Sequence, residues 1–310
     1  MSGNRDPFTS GESVPVAGGA LHVARAGVRP ADAEAIVVAV HGITASHHGW
    51  RIVARELLAA QPDVCMLAPD LRGRGHSAGV GPPYGIVAHA TDVATVLEHF
   101  GCRRAVLAGH SMGAFVVARA AADDPDLASA VVLIDGGLRI PAPDDIEADA
   151  LLDAVLGPAI ARLKMTFASP EEYIEFWQRH PAFAGCWNDD VEAYVRADLT
   201  GEPGAFHSVV SEAAVRVDGT ELLRDEVTLE AAGRVRAPLW LLRAPRGLLD
   251  DPNSPLIPEP ARDRFAELQP SAQVVDVPDV NHYTITLGAG AAMVAHAVVA
   301  AIGHGRGVTA

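Results

Sequence analysis

A chain of 310 residues, 49% hydrophobic and 20% charged, has globular rather than disordered composition and is long enough to bury a core without staples. Its formal net charge of −15 repels phosphate, which opposes nucleic acid and anionic membranes as partners. Aromatic residues are only 5%, so Ala, Val and Leu must fill most of the core. Cys65, Cys102 and Cys186 are far apart, show no metal spacing and cannot all pair, which reads as reduced thiols. The opening MSGNRDPFTSGESVPV lacks the basic-then-apolar layout of a secretory signal, and no apolar run is long enough to span a bilayer. A cytoplasmic protein is therefore expected.

In chain order, residues 1–12 are expected to be a flexible lead-in. Ser13–Ala26 reads as a hairpin around Gly18-Gly19. Ala35–Val40 (AIVVAV) is a continuous apolar run, which suits a strand buried on both faces. A rhythm follows: a helix at Trp50–Ala60, a strand at Val64–Ala68, a helix at Ile86–Phe100, a strand at Ala105–Ala108. It continues with a helix at Ser111–Ala122 and a strand at Ala130–Ile134. Strands alternating with helices predict parallel pairing through right-handed crossovers.

The rhythm stops near Arg139 and resumes at Pro238. Between them, Asp144–Lys164, Pro170–His180 and Asp189–Leu199 read as helices. Ser169 ahead of Pro170-Glu171-Glu172 is a helix start with a cap, a first-turn proline and acids at the positive dipole end. The expected organisation is a core of residues 13–138 and 236–310, interrupted by an all-helical cap over 139–235. Strands at Leu239–Leu242 and Gln273–Val277, and helices at Ala261–Leu268 and Ala291–Ile302, complete the core.

Three loops carry chemistry. Gly109-His110-Ser111-Met112-Gly113 is a G-x-S-x-G pentapeptide between a strand and an Ala-rich helix. A serine in such a turn projects its hydroxyl at a helix N-terminus, where the Met112 N–H and the helix dipole favour developing negative charge. His41-Gly42-Ile43-Thr44 follows AIVVAV directly, and the Ile43 N–H is the natural second donor to an oxyanion. Asp70-Leu71-Arg72-Gly73-Arg74-Gly75-His76-Ser77 reads as structural, since no Walker Lys-Ser/Thr follows to make it a phosphate loop. His47 and His48 either line a pocket or cap the helix near Trp50. The aromatics Phe167, Tyr173, Phe176, Trp177, Phe183 and Trp187 are concentrated in the insertion, where some should form its own core and one or two face a substrate.

This ordered set over about residues 13–303 resembles the α/β-hydrolase superfamily, in its broad esterase, lactonase, thioesterase and C–C hydrolase branch. The resemblance implies an α/β fold: an eight-stranded, mostly parallel sheet with an all-helical cap between the sixth and seventh strands. It also implies the order nucleophile, acid, histidine. Ser111 is then the nucleophile. Of thirteen histidines only His282, in Asp279-Val280-Asn281-His282-Tyr283, sits just past the last strand as a base. The usual acid position aligns with Gly247, so the acid is sought at Asp135, at the end of the preceding strand, or at Asp250 and Asp251. Asp135 is the favoured choice. The expected activity is carboxylic ester or lactone hydrolysis of a neutral, partly apolar small molecule by a Ser111–Asp135–His282 triad, with Ile43 and Met112 as oxyanion donors. No cofactor or metal is implied, and a homodimer is allowed. The competing expectations are C–C bond hydrolysis or cofactor-free peroxidation on the same site, and a non-catalytic ligand-binding receptor on the same fold.

Overall fold

The computed structural model describes residues 5–139 and 148–307. Eight strands form one sheet: β1 (Phe8–Val16), β2 (Gly19–Gly27), β3 (Ala35–Val40), β4 (Val64–Pro69), β5 (Ala105–His110), β6 (Ala128–Ile134), β9 (Leu239–Arg243) and β10 (Gln273–Asp276). β7 (Leu199–Thr200) and β8 (His207–Ser208) make a separate two-residue hairpin. The order across the large sheet is β1-β2-β4-β3-β5-β6-β9-β10, antiparallel at β1, β2 and β4 and parallel from there on.

Side-chain alternation along the buried strands divides the core into two layers. Leu107, Leu133 and Leu241 face one layer, with α2 (Ile86–His99), α3 (Met112–Asp123) and α10 (Glu259–Leu268). Val106, Val132 and Trp240 face the other, with α1 (Arg51–Ala60) and α12 (Ala291–Gly307). Because both faces are covered, β3, β4, β5 and β6 are apolar runs rather than alternating ones.

The chain reverses direction across the sheet at β3. β4 lies on one side of β3 and β5 on the other. The C-terminal ends of β3 and β5 therefore diverge into a crevice, the place where parallel α/β sheets bind ligands.

Between β6 and β9 lie α4 (Ala148–Leu163), α5 (Pro170–Gln178), α6 (Asp189–Ala197), the β7–β8 hairpin, α7 (Glu212–Arg224), α8 (Glu226–Leu229) and α9 (Ala231–Arg234). The short helix α11 (Thr284–Leu287) precedes α12. The start expected at Ser169 is realised: its hydroxyl accepts the Glu172 N–H, and Pro170 opens the helix. Residues 144–147 of the expected first helix lie outside the described residues. The insertion is not all-helical, because Leu199–Thr200 pairs with His207–Ser208, a bridge too short to carry a periodic signal.

A second expectation is corrected at the N-terminus. Strand β1 begins at Phe8, not Ser13, and pairs along the whole of β2 from Phe8↔Ala26 to Val16↔Gly19. The residues Thr9-Ser10-Gly11-Glu12 are exposed at the sheet edge, so their polarity marks solvent on an edge strand rather than a flexible lead-in.

Candidate active site

Ser111 joins the end of β5 to α3 with φ 57° and ψ −123°. Its neighbours have been pared to hydrogen to allow this turn. A Cβ on Gly109 would lie 2.2 Å from the Gly113 carbonyl oxygen, and one on Gly113 would lie 2.1 Å from the Val40 oxygen. A Cβ on Gly136 would meet the Ser111 oxygen at 2.2 Å. The Ser111 N–H donates to the Ile134 carbonyl at 2.9 Å, tying the turn to β6.

The loop after β3 is held against this turn. A Cβ on Gly42 would sit 3.1 Å from Ser111 Cβ, so the Gly42-Ile43 peptide passes directly beside the serine. His41 sets that path. Its Nδ1 donates to the Gly42 carbonyl at 2.7 Å, and its Nε2 accepts the Leu71 N–H at 2.9 Å. Burial pulls the His41 pKa down to about 4, which keeps the ring neutral in that tautomer. Arg74 donates through Nε to the Ile43 carbonyl at 2.9 Å, which orients the Ile43 peptide. Met112 is the first residue of α3, where an N–H has no partner within the helix.

Asp135 and His282 come together. His282 Nδ1 is 2.7 Å from Asp135 Oδ2, and both side chains are buried. Asp135 Oδ1 accepts the Ala244 N–H at 3.1 Å, and its own N–H donates to the Leu242 carbonyl at 2.7 Å, so β9 and the residue that follows it each grip it once. With Nδ1 on the carboxylate, the His282 Nε2 is left as a lone pair.

The other two acids are engaged elsewhere. Asp250 pairs with Arg246 at 2.8 Å and accepts the Asn281 side-chain amide at 2.9 Å, while Asp251 caps Asn253 at 2.8 Å. Gly247 has no room for a side chain: a Cβ there would lie 1.9 Å from the Ser254 oxygen.

Two supporting residues escape a reading by motif. His110, the variable residue of the pentapeptide, is half-buried and donates from Nε2 to the His282 carbonyl at 2.9 Å. Burial and the neighbouring His282 push its pKa well below the ordinary value. Asn281 shapes the histidine loop, accepting the N–H groups of Tyr283 and Thr284 at 2.9 and 3.0 Å and donating to Ala182 of the insertion at 2.8 Å.

Ser111, His282, Gly42 and Ile43 line one cavity of about 380 Å³. Its walls include Leu156, Trp177, Tyr194, Leu248, Tyr283 and Leu287. Of the six insertion aromatics, Phe176 and Trp177 face the cavity. Phe167, Tyr173 and Phe183 pack in the insertion's own core with Trp187 against them. His47 and His48 do not line it. They sit in a short turn capped by Ser46, because His47 is drawn onto Asp70 at 2.9 Å.

Among the described residues, Arg162 is the one arginine or lysine on the cavity wall. It is neutralised there: Nη1 reaches Asp198 Oδ2 at 2.5 Å and the Tyr173 hydroxyl at 2.6 Å, and the guanidinium lies 5.0 Å from the Trp177 ring centre. Burial opposes its charge, but Asp198 outweighs that and holds its pKa above the usual arginine value.

A family model described as alpha/beta hydrolase fold matches residues 35–168. Lipase LipV of Mycobacterium tuberculosis is 28% identical over 236 residues, covering 74% of this chain and 82% of the lipase. The chain has the α/β-hydrolase fold. Shorter matches of 78 to 109 residues span about a quarter to a third of other relatives, haloperoxidases among them. The crystal structure of E-2-(acetamidomethylene)succinate hydrolase superposes with a TM-score of 0.75 at 23% identity, covering 95% of this chain and 99% of that one. A thioesterase domain from the curacin biosynthetic pathway superposes with a TM-score of 0.72 at 18% identity, covering 94% and 98%. At these identities the structural likenesses speak for the α/β-hydrolase fold alone, and the fold with the lipase relative supports hydrolase activity. Among the described residues, no helix is long and apolar enough to cross a membrane.

Proposed function

We propose that this α/β hydrolase is a serine esterase or lactonase acting on a neutral, partly apolar small molecule. The observation that carries the reading is the Asp135–His282 pair, 2.7 Å apart and buried, on the wall of the cavity that also holds Ser111. Ser111 attacks the substrate carbonyl while His282 Nε2 takes its proton. Asp135 holds the imidazole tautomer and stabilises the imidazolium. The Ile43 and Met112 N–H groups receive the developing oxyanion. Water then attacks the acyl-enzyme, with His282 again as base.

The substrate class rests on the wall. Leucines and aromatics dominate it, and Arg162 is already paired with Asp198. A neutral apolar acyl or alcohol group suits such a surface, and a net charge of −15 disfavours anionic polymers as partners. The described part of the insertion, 148–235, acts as a cap over this cavity, contributing Leu156, Phe176, Trp177 and Tyr194 to it.

The test is intact mass after a fluorophosphonate probe, then turnover of a chain-length series of nitrophenyl esters. A single adduct on Ser111 and preference for medium acyl chains are expected. Labelling elsewhere, or turnover of a vinylogous 1,5-diketone without any of the esters, would overturn the reading in favour of another chemistry.

A further inference from the structure

A second group of functional side chains lies outside the cavity, on the antiparallel side of the sheet. His22 is on β2, His47 is in the turn after β3, and Asp70 and His76 are in the loop after β4. One ligand-capable atom of each lies within 4.8 Å of those of the other three. We propose that His22, His47, Asp70 and His76 bind one divalent transition-metal ion of the zinc class. This inference is independent of the hydrolase reading above.

The fold explains part of the cluster. Asp70 Oδ1 accepts both the backbone N–H of His47 at 2.8 Å and its ring Nδ1–H at 2.9 Å, and Oδ2 accepts the His76 N–H at 2.9 Å. Those bonds shape two loops. They do not account for three imidazoles turned toward one another, with ring centres 4.6 Å apart for His22–His76, 5.5 Å for His22–His47 and 5.7 Å for His47–His76. Among the described residues, no protein group hydrogen-bonds a ring nitrogen of His22. A metal ion would give these imidazoles and the Asp70 carboxylate one common partner.

An ion held by both His47 and Asp70 would replace the proton between His47 Nδ1 and Asp70 Oδ1, now 2.9 Å apart. Imidazole and carboxylate together suit zinc, nickel, cobalt and copper rather than magnesium or calcium.

The distances allow closure. Four ligands at about 2.0–2.1 Å in a tetrahedron stand about 3.4 Å apart, so the cluster must contract by about 1 Å. His76 can supply that movement: its side chain is 65% exposed, and it follows Gly73 and Gly75. The opposite side is walled. Phe8 meets the His47 ring edge-on at 5.3 Å, and His22 lies over Gly11, where a Cβ would be 2.2 Å from its ring. A bound ion would tie β2 to the loops after β3 and β4, three residues beyond the Thr44 that follows the Ile43 peptide.

The experiment uses the full chain, stripped with a chelator and dialysed. Zn²⁺ is titrated by calorimetry, Co²⁺ by visible absorption, and thermal unfolding is followed with and without Zn²⁺. His76→Ala, whose side chain is exposed, and His22→Gln are measured alongside, with circular dichroism as the check on folding. The proposal expects one equivalent of metal, the absorption of four-coordinate Co²⁺, a Tm raised by several degrees, and affinity at least about tenfold weaker in each variant. No saturable one-equivalent binding, or unchanged affinity in either variant, overturns it.

Discussion

Asp135 is oriented from the neighbouring strand: one carboxylate oxygen takes the Ala244 amide at 3.1 Å, and the other meets His282 Nδ1 at 2.7 Å. The residue itself carries φ 43°, a conformation disfavoured for a side chain with a Cβ. Strain accepted at the end of β6 places this carboxylate beside His282, where a longer loop after β9 would otherwise have to bring one.

That arrangement predicts an asymmetric mutational result. Asp135→Asn keeps the shape but favours the wrong imidazole tautomer, which in serine proteases lowers turnover about ten-thousand-fold. Asp250→Asn leaves His282 untouched and loses an Arg246 contact at the surface, so turnover is expected within about tenfold of the parent. Steady-state kinetics on a nitrophenyl ester decides between them. A steep fall in Asp250→Asn with little change in Asp135→Asn would reverse the assignment.

The turn at Ser111 makes a separate, thermodynamic prediction. Ser111→Ala removes the hydroxyl but keeps a Cβ at φ 57°, whereas Ser111→Gly removes both. Both variants should lose ester turnover by several orders of magnitude. Ser111→Gly should unfold at higher denaturant than Ser111→Ala, by about 1 kcal/mol, because glycine adopts that conformation without the Cβ penalty. Equal midpoints would mean that the turn is not strained.

Much of this was legible because its signals are local. The apolar run of β3, the glycines flanking Ser111 and the late His282 each follow from short stretches of sequence. Asp135 was favoured only because the family resemblance offers the end of the sixth strand as a second place for the acid, and the reason Gly247 is glycine becomes visible in three dimensions, where Ser254 fills the space. The polar face of β1 misled because an exposed edge strand and a flexible tail have the same composition. His110 and Asn281 gave no signal, since their work is to hold the backbone of a residue distant in sequence. The histidines of the β2–β4 cluster are similarly scattered, at 22, 47 and 76, with none of the short spacing that marks a metal motif.

His110 is therefore expected to act on position alone. His110→Ala removes the donor to the His282 carbonyl and lets the histidine loop shift. A displacement near 1 Å costs about a hundredfold in rate, so kcat should fall ten- to a hundredfold while KM changes little. Probe labelling of Ser111 should slow in parallel. Unchanged kcat would remove His110 from any supporting role.

Asp218 links acid stability to the loop behind Ile43. It is fully buried on α7, 2.6 Å from Arg74 Nη1 and 3.0 Å from His89 Nε2. Burial alone would raise its pKa, but Arg74 and His89 prevail and hold it at about 2. A folded value below the unfolded one, near 4, gives stability that is present above about pH 4 and lost as pH falls toward 2. The contribution is about 2 kcal/mol. Asp218→Asn leaves Arg74 uncompensated and should cost about 3–5 kcal/mol at pH 7. Urea midpoints measured from pH 7 to pH 2 should show the gap between parent and variant narrowing by about 2 kcal/mol below pH 4. A gap independent of pH would contradict the coupling.

The last prediction concerns the charge on the cavity wall. Arg162 faces the cavity but is bound to Asp198, which is itself held by the Tyr173 and Ser208 hydroxyls. In the parent the pair is neutral, so a nitrophenyl ester of a neutral acid should be hydrolysed better than one whose acyl chain ends in a carboxylate. Asp198→Asn removes the counter-charge and leaves a buried guanidinium beside the substrate. Two charges 4 Å apart at an effective dielectric of 20 interact by about 4 kcal/mol, and part of that is spent on rearranging the network. The ratio of kcat/KM for the anionic over the neutral ester should therefore rise by about tenfold, equivalent to about 1.4 kcal/mol. Losing a buried partner also destabilises the fold, so Arg162→Met/Asp198→Asn, which deletes both charges, serves as the control. It should fold and show no gain for the anionic ester. If the single variant folds and its preference is unchanged, Arg162 does not reach the bound substrate, and the acyl chain lies along the Leu248–Leu256 side of the cavity instead.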